Sequence, residues 1–257
     1  MTFKKLLFSA VTAGLVMTGL TATANASGAG PIPKMDWSFD GIFGSFDRGA
    51  LKRGTQVYFE VCAGCHSARL VAYRNLMDIG FTEAEAKELA GEYEVQDGPD
   101  DEGEMFMRPA ILADRFVPPY ANDNAARASN NGALPPDLSL MIKARKGGAS
   151  YMYAVLTDYH EEAPEGIELA DGMYYNGVFP GNQIAMPPPI DDDSVEYADG
   201  TKATKDQIAK DVSVFLTWTA SPELEERKRM GVKVMVFLFF LTVLMYALKR
   251  KIWARVH

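Results

Sequence analysis

Cysteine and histidine are scarce in this sequence, which contains two Cys and three His in 257 residues. Both cysteines fall in one motif, Cys62-Ala63-Gly64-Cys65-His66, and only His160 and His257 lie outside it. A structural zinc site needs four ligands, and His257 is separated from the motif by the apolar run at 230–248, which leaves only His160 to complete it. A thioredoxin-like redox pair needs a βαβ context that is absent here, and a structural disulfide joins residues three apart poorly. These three classes are therefore excluded.

The Cys-x-x-Cys-His pattern is instead the attachment signal for c-type haem. The thiols of Cys62 and Cys65 each add across a vinyl group, and His66 supplies one axial ligand to the iron. The spacing places two sulfurs and an imidazole on one turn, against one haem face. The motif therefore predicts a single, covalently attached haem c.

Two residues compete for the second axial position. His160 lies in a polar segment, where a lone histidine is more often solvated. Met186 lies in a long loop and is followed by three prolines that stiffen the backbone. A methionine often only fills a gap in a core, but a rigidly held thioether would raise the reduction potential above that of a bis-His site. We favour Met186 with His66, an arrangement that leaves no open iron site and so indicates electron transfer.

Acidic residues are absent from both ends of the chain, and both ends have targeting features. Residues 1–26 contain two lysines, an apolar run and the cleavage signal Ala24-Asn25-Ala26, as in a secretory signal peptide. Residues 230–248 have one charge in 19 residues and would rise roughly 28 Å as a helix, enough to cross a membrane. We therefore predict a periplasmic cytochrome c domain at 27–226, a transmembrane anchor at 230–248 and a cytoplasmic tail at 249–257.

The predicted exported domain is strongly acidic. It contains all 34 Asp and Glu but only 16 of the 26 Lys and Arg, which gives a net charge of −18. Ten carboxylates lie between Glu83 and Glu104, a run that is also typical of a solvated loop. Such a domain would not bind nucleic acid and would attract a basic protein partner.

Strand signals are few, so the fold class is predicted to be mainly α with long loops. One helix is expected to run into the Cys62 motif, a second to span Thr82–Glu92, and a third to end just before Pro222. Segments 96–131 and 161–200 look like loops. The predicted helix N-caps are Asp47, Thr82, Asp137 and Thr204, with capping boxes at Thr82 and Thr204.

Several further segments, taken together and in order, resemble the cytochrome c1 family of the ubiquinol–cytochrome c reductase (cytochrome bc1) complex. The resemblance extends from about Phe39 to Trp253. Its segments are Arg53-Gly54 to His66, Val71-Ala72-Tyr73-Arg74, Val95-Gln96-Asp97-Gly98-Pro99, Gly103 to Pro109, Ala125-Ala126-Arg127, Asn130 to Ser139, Lys210-Asp211-Val212 and Glu225 to Met230. Each is weak alone except Cys-x-x-Cys-His, but the ordered set is highly specific.

The resemblance implies a class I cytochrome c-like domain with long loop insertions plus one C-terminal transmembrane helix. It implies that Met186 is the axial ligand, and it places Asn130, Pro136, Arg145 and Tyr151 in the haem pocket. Arg145 would lie near a haem propionate. Many relatives place a small residue between this methionine and the prolines, so the geometry of this loop departs from the family pattern.

The resemblance also implies an electron-transfer subunit that does not itself bind quinol. It would accept electrons from a Rieske iron–sulfur protein and pass them to a basic cytochrome c, beside cytochrome b and membrane lipid in a dimeric complex. The location would be the bacterial inner membrane. The alternatives are a haem c subunit of a terminal oxidase, a haem sensor or peroxidase with a displaceable ligand, and a purely structural assembly subunit.

Overall fold

The structure, a computed structural model, describes residues 30–255. The predicted signal peptide and His257 lie outside the described residues. Over residues 30–255 the fold is mainly helical with few strands, as predicted. The α-helices are α1 (Arg48–Val57), α2 (Glu83–Gly91), α3 (Asp123–Ser129), α4 (Met141–Ala144), α5 (Ala149–Thr157), α6 (Lys205–Ala220) and α7 (Leu224–Trp253). The strands form two antiparallel pairs, β1 (Glu94–Asp97) with β2 (Phe106–Pro109) and β3 (Tyr174–Tyr175) with β4 (Gln183–Ile184).

Helix α1 begins at the predicted cap, because the side chain of Asp47 accepts a hydrogen bond of 3.0 Å from the Ala50 backbone N–H. The helix then widens into a π-helical turn, Tyr58–Cys62, which leads directly into the cysteine motif. The orientation of α1 therefore sets where the motif begins.

Helix α1 crosses α6 at very close range. A Cβ atom added to Gly54 would lie 2.1 Å from the backbone oxygen of Asp211, so only glycine fits at this crossing. The neighbouring Arg53 forms two hydrogen bonds, of 2.8 and 3.0 Å, with the buried carboxylate of Asp211. The rings of Tyr58 and Phe215 pack one turn further on, with their centroids 5.5 Å apart. This crossing is the centre of the core.

The predicted capping box at Thr82 is confirmed. Thr82 accepts a hydrogen bond from the Glu85 N–H at 3.2 Å, and the Glu85 carboxylate accepts one from the Thr82 N–H at 2.5 Å. At α6, Thr204 caps the Gln207 N–H at 3.2 Å, but the Gln207 amide donates to Asp211 instead of folding back. The second predicted capping box is therefore only half formed.

The predicted long loops contain more regular structure than expected. Segment 96–131 includes most of the β1–β2 hairpin and all of α3, while segment 161–200 includes the short β3–β4 pair. Helix α5 and a 3-10 helix at Tyr73–Ile79 were not predicted. Helix α5 is buried on most of its faces and has no amphipathic period to detect. The 3-10 helix buries every third residue, Tyr73, Leu76 and Ile79, which is not the 3.6-residue period of an α-helix.

Helix α7 is continuous over 30 residues and starts six residues before the predicted anchor. From Arg229 to Arg255 its residues are exposed. Among the residues described, α7 is the one helix that is long and apolar enough to cross a membrane. Only Ser221, Pro222 and Glu223 separate it from α6.

Candidate haem site

The cysteine motif forms a tight turn directly after the π-helical segment. The backbone N–H groups of Cys65 and His66 both donate to the Cys62 carbonyl, at 3.1 and 2.8 Å. Both sulfurs are free thiols, and Cys62 is half-buried while Cys65 is exposed. Burial raises the pKa of the Cys62 thiol to about 12, and the neighbouring Cys65 adds to this rise. The two groups therefore have the chemical form and the spacing that thioether formation requires.

His66 is held by a single well-defined hydrogen bond. Its Nδ1 lies 2.8 Å from the backbone oxygen of Pro136. A carbonyl can only accept, so Nδ1 carries the proton and Nε2 keeps its lone pair. Burial lowers the pKa of His66, against a smaller opposing effect of the bond to Pro136. The imidazole is therefore neutral, which is the form that binds a metal ion through Nε2.

The segment after His66 runs beside the segment that contains Pro136. The Leu138 N–H donates to the Ser67 carbonyl at 2.7 Å. The Asp137 carboxylate accepts from the Ser67 hydroxyl and from the Arg69 N–H, each at 2.9 Å. Burial acts to raise the pKa of Asp137, but these hydrogen bonds and those from Ser139 hold it below its ordinary value. Asp137 thus fastens the two segments together and places the Pro136 carbonyl against His66.

The prediction that Asp137 caps a helix is wrong. Helix α4 begins at Met141 and its N-cap residue, Leu140, makes no side-chain capping bond. The carboxylate is used by the segment after His66 instead. A cap can be inferred from local sequence, whereas a contact across about 70 residues cannot.

Asn130 reaches the cysteine motif through a tyrosine. Its Nδ2 donates to the Tyr120 hydroxyl at 3.1 Å and to the Ala126 carbonyl at 2.7 Å. The Tyr120 hydroxyl in turn lies 4.0 Å from the Cys65 sulfur. Cys65, Tyr120 and Pro136 line a common cavity of about 160 Å³. The predicted residues Asn130 and Pro136 therefore do lie beside the motif, and Tyr120 is a neighbour that the sequence did not single out.

Arg145 and Tyr151 form a separate pair. Tyr151 is buried on α5, and Arg145 donates to the Ala144 carbonyl at 3.2 Å. Burial raises the pKa of the Tyr151 hydroxyl, and the nearby Arg145 guanidinium partly offsets this rise. Within residues 30–255 no hydrogen bond joins this pair to the cysteine motif. Their predicted place in a haem pocket thus stays a prediction.

Met186 lies two residues after β4, half-buried against the edge of the hydrophobic core. Its backbone carbonyl accepts a 3.0 Å hydrogen bond from the Tyr159 hydroxyl. Burial raises the pKa of Tyr159, which keeps this hydroxyl a proton donor. The methionine backbone is therefore fixed by a side chain from outside its own loop.

A second residue, Asn176, ties this loop to α5. Its side chain is fully buried. Its Nδ2 donates to the Val155 carbonyl at 2.8 Å, and its Oδ1 accepts from the N–H groups of Val178 and Phe179 at 3.2 and 2.9 Å. An asparagine in a loop has no sequence signal for such a role, so this residue was missed.

His160, the rival ligand, is solvated as a polar loop histidine commonly is. Its side chain is 54% exposed, and its Nε2 lies 3.0 Å from the Asp158 carboxylate. This ring nitrogen is therefore within hydrogen-bonding distance of a carboxylate oxygen. Met186 is half-buried against the core, and its choice as the ligand stays a prediction.

A wide cleft lies elsewhere on the domain. It measures about 630 Å³ and lies between α1 and α2, with Phe59, Phe81, Leu89 and Tyr93 among its lining residues. Neither the cysteine motif nor Met186 lines it. The size of a cleft therefore does not identify the candidate haem site, which is identified by its donor atoms.

The donor atoms fit a covalently bound haem. Two adjacent thiols can form thioethers, a neutral imidazole offers Nε2, and a methionine offers a soft sulfur. Cys62 and Met186 both pack against the same hydrophobic core.

Comparison with known proteins gives consistent matches over nearly the whole chain. The Cytochrome C1 family matches residues 37–256. Cytochrome c1 of Rhodospirillum rubrum is 49% identical over 259 residues, which cover 95% of each chain. The cytochrome b-c1 complex catalytic subunit of Candida albicans mitochondria is 47% identical, with 95% of this chain and 89% of that protein covered. Cytochrome b/c1 of Bradyrhizobium diazoefficiens is 45% identical over 96% of this chain, which covers 39% of that longer protein.

Proposed function

Because this chain belongs to the cytochrome c1 family, we propose that it relays single electrons within a cytochrome bc1 complex. One haem c would be attached to Cys62 and Cys65, with His66 and Met186 as axial ligands. The observation that carries this assignment is the His66 geometry, a neutral imidazole oriented by Pro136 immediately after two free thiols. The bound group supplies an iron centre that gains and loses one electron.

The residues of this chain would hold that centre rigidly. The bond from Nδ1 to the Pro136 carbonyl fixes the imidazole ring and increases the basicity of Nε2. Met186 is the second proposed ligand, and the Tyr159 hydroxyl restrains its backbone. Two protein ligands would leave no open position on the iron for a substrate, so the centre would act by electron transfer. We infer from the family that the subunit does not itself bind quinol. We further infer that Arg145 lies near a propionate, with Asn130 and Tyr151 in the pocket.

The names of the relatives support the choice of partners. The Bradyrhizobium protein is named cytochrome b/c1, and the Candida protein is named as a subunit of the b-c1 complex. We infer that cytochrome b is the neighbour in the membrane, that a Rieske iron–sulfur protein is the donor, and that the complex is dimeric. The acceptor would be a basic cytochrome c.

The charge distribution supports a basic acceptor. Of the ten carboxylates between Glu83 and Glu104, all but Asp97 are exposed. Glu83 and Glu85 pair with lysines, and Asp97 pairs with Arg108. The other seven form no ion pair within the described part of the chain. Their unneutralised field would attract a cationic protein, so the rate of its reduction should fall as ionic strength rises.

The proposed topology follows from export and a single anchor. Residues 1–26 would be removed as a signal peptide, and residues 27–226 would lie in the periplasm of a bacterium. Residues 230–248 of α7 would cross the inner membrane, in contact with lipid. Residues 249–257 would form a short cytoplasmic tail.

Replacing the proposed methionine ligand tests this function. In the membrane-extracted full-length protein, Met186→Leu should keep covalent haem, lose the Met–iron charge-transfer band and lower the reduction potential. His160→Ala is the matched control and should change neither. An unchanged spectrum and potential in Met186→Leu would refute the ligand assignment. Absence of covalent haem, or purification without cytochrome b and a Rieske protein, would refute the function itself.

A further inference from the structure

Two adjacent apolar side chains stand out from the surface of the soluble domain. Ile42 is 69% exposed and Phe43 is 87% exposed, which makes Phe43 the most exposed large hydrophobic residue between residues 30 and 255. Single exposed apolar residues are common and need no explanation. This pair, however, lies in a segment that is bonded to the first turns of α7, the proposed membrane anchor.

Hydrogen bonds connect this part of the chain to the first turns of α7. The carboxylate of Glu225 accepts from the Phe46 N–H and from Arg48, each at 2.8 Å. One turn later, the Lys228 ammonium donates to the carbonyls of Phe39 and Gly44, the latter at 3.1 Å. The α7 axis rises about 4.5 Å between Glu225 and Lys228. The chain from residue 46 back to residue 44 therefore moves along α7 toward its apolar part.

Ile42 and Phe43 lie between the two carbonyls that Lys228 bonds, and Lys228 is only two residues from Met230, the first residue of the predicted anchor. The backbone of the turn is closely packed. A Cβ atom at Gly44 would lie 1.9 Å from the Asp40 carbonyl, and the Ser45 N–H donates to the Ser38 carbonyl at 3.0 Å. The backbone that carries the two exposed side chains is thus held beside the base of α7.

We propose that this anchor-side turn, residues 40–44, inserts Ile42 and Phe43 into the interfacial layer of the membrane. The proposal rests on the membrane-spanning role proposed for α7. Burial of two apolar side chains among lipid stabilises the position of the domain on the bilayer.

The surroundings of the turn suit a lipid surface. Arg227 lies at the same level and is a cation that could meet lipid headgroups, while Lys228 bonds the turn and Arg229 pairs with Glu226 at 3.1 Å. The Trp37 and Phe39 rings stack with centroids 5.7 Å apart and join the base of the turn to the hydrophobic core. A bilayer with anionic headgroups therefore matches the apolar tip and its basic flank.

Photocrosslinking in native membranes can test the proposal. Benzoylphenylalanine is placed in the full-length protein at position 43, where Phe43 is too exposed for the substitution to affect folding. A second variant has it at Leu244 of α7, which is 68% exposed, and a third at Met105, which lies outside the turn and is 51% exposed. Adducts are identified by mass spectrometry after irradiation.

We expect lipid adducts in comparable yield from positions 43 and 244, and none from position 105. A protein adduct at 43 with lipid adducts at 244 would show that another subunit covers the turn, and would overturn the proposal. No adduct at 43 would place the turn in water, with the same consequence. Absence of lipid adducts at 244 would refute the anchoring by α7, and so would be distinguishable from failure of the turn alone.

Discussion

The two proposed iron ligands are held by different kinds of structure. On the His66 side, the motif leaves α1 close to the α1–α6 crossing, and the segment after it is paired with residues 136–139 through backbone and carboxylate bonds. On the Met186 side, the methionine lies in a loop whose only regular structure is the two-residue pair of β3 and β4. There, Tyr159 and Asn176 are among the residues that supply long-range hydrogen bonds.

This difference indicates different costs of losing each ligand. Disturbing the His66 side disturbs the crossing at the centre of the core, so it should destabilise the whole domain. Disturbing the Met186 side should open that loop before the rest unfolds. Val178, Ile184 and Ile190 pack in the core, but the loop backbone has only two short strands to hold it between them. Ligation of the iron by Met186 would then be lost under milder conditions than the fold around the covalently attached haem.

The largest effect is expected at the helix crossing. Gly54→Ala forces α1 and α6 apart, because the new Cβ would lie 2.1 Å from the Asp211 oxygen. The free energy of unfolding should fall by about 3 kcal/mol, measured by chemical denaturation. Gly91→Ala is the control, since nothing lies within 4 Å of its added Cβ, and should change stability by less than about 0.5 kcal/mol. Equal stabilities of the two variants would contradict the close crossing.

A smaller, more local effect is expected from Asn176→Ala. The change leaves the Val155 carbonyl and two backbone N–H groups without partners, at a cost of about 2 kcal/mol. The Met–iron band should disappear on heating before the domain unfolds, as followed by absorbance and circular dichroism. Asn124→Ala, an exposed change on α3, is the control, and in this variant the Met–iron band and the fold should be lost at the same temperature. If band and fold were lost at one temperature in Asn176→Ala, the two sides would not be independent.

On the His66 side, Asp137→Asn should show a pH-dependent cost. The folded-state pKa of Asp137 is held below its ordinary value of about 3.9, so its stabilisation is complete above that pH and is lost as pH falls through the lower folded pKa. The variant should be less stable than the wild type by about 1.5 kcal/mol at pH 7. Denaturation at neutral and acidic pH should show this gap closing in acid. A gap that does not change with pH, or an equal gap in the exposed variant Asp101→Asn, would contradict the role of Asp137.

The smallest effect on folding is expected from Tyr159→Phe. It removes one hydrogen bond to the Met186 carbonyl, worth about 1 kcal/mol. Stability should change little, while the reduction potential falls and the Met–iron band weakens. Tyr174→Phe, an exposed tyrosine on β3, is the control and should change neither quantity. A potential unaffected by Tyr159→Phe would mean that the loop holds Met186 without this bond.

The parts of this protein that were predictable are those whose signal is local. The caps Asp47 and Thr82 were found because a side chain bonds a backbone group three residues away. The apolar run of α7 and the cysteine motif are likewise contiguous. Family resemblance supplied Asn130 and Pro136, which the structure places beside the motif.

What could not be predicted depends on contacts between distant segments. The sequence around Asp137 favours a helix cap. Its actual partner, Ser67, lies 70 residues away, so no local pattern indicates the contact. Asn176 and Tyr120 have no local pattern that marks them as parts of a site. Helix α5 is buried on most faces, so its composition lacks the alternation of polar and apolar residues by which a helix is recognised.

The short connection between α6 and α7 joins the proposed anchor closely to the domain. Three residues link the two helices, and Glu225 at the start of α7 bonds Phe46 and Arg48 near the start of α1. A redox centre in a domain joined in this way would keep a constant height and tilt above the bilayer. Since electron tunnelling requires close approach, the proposed donor and acceptor would then have to move to this centre.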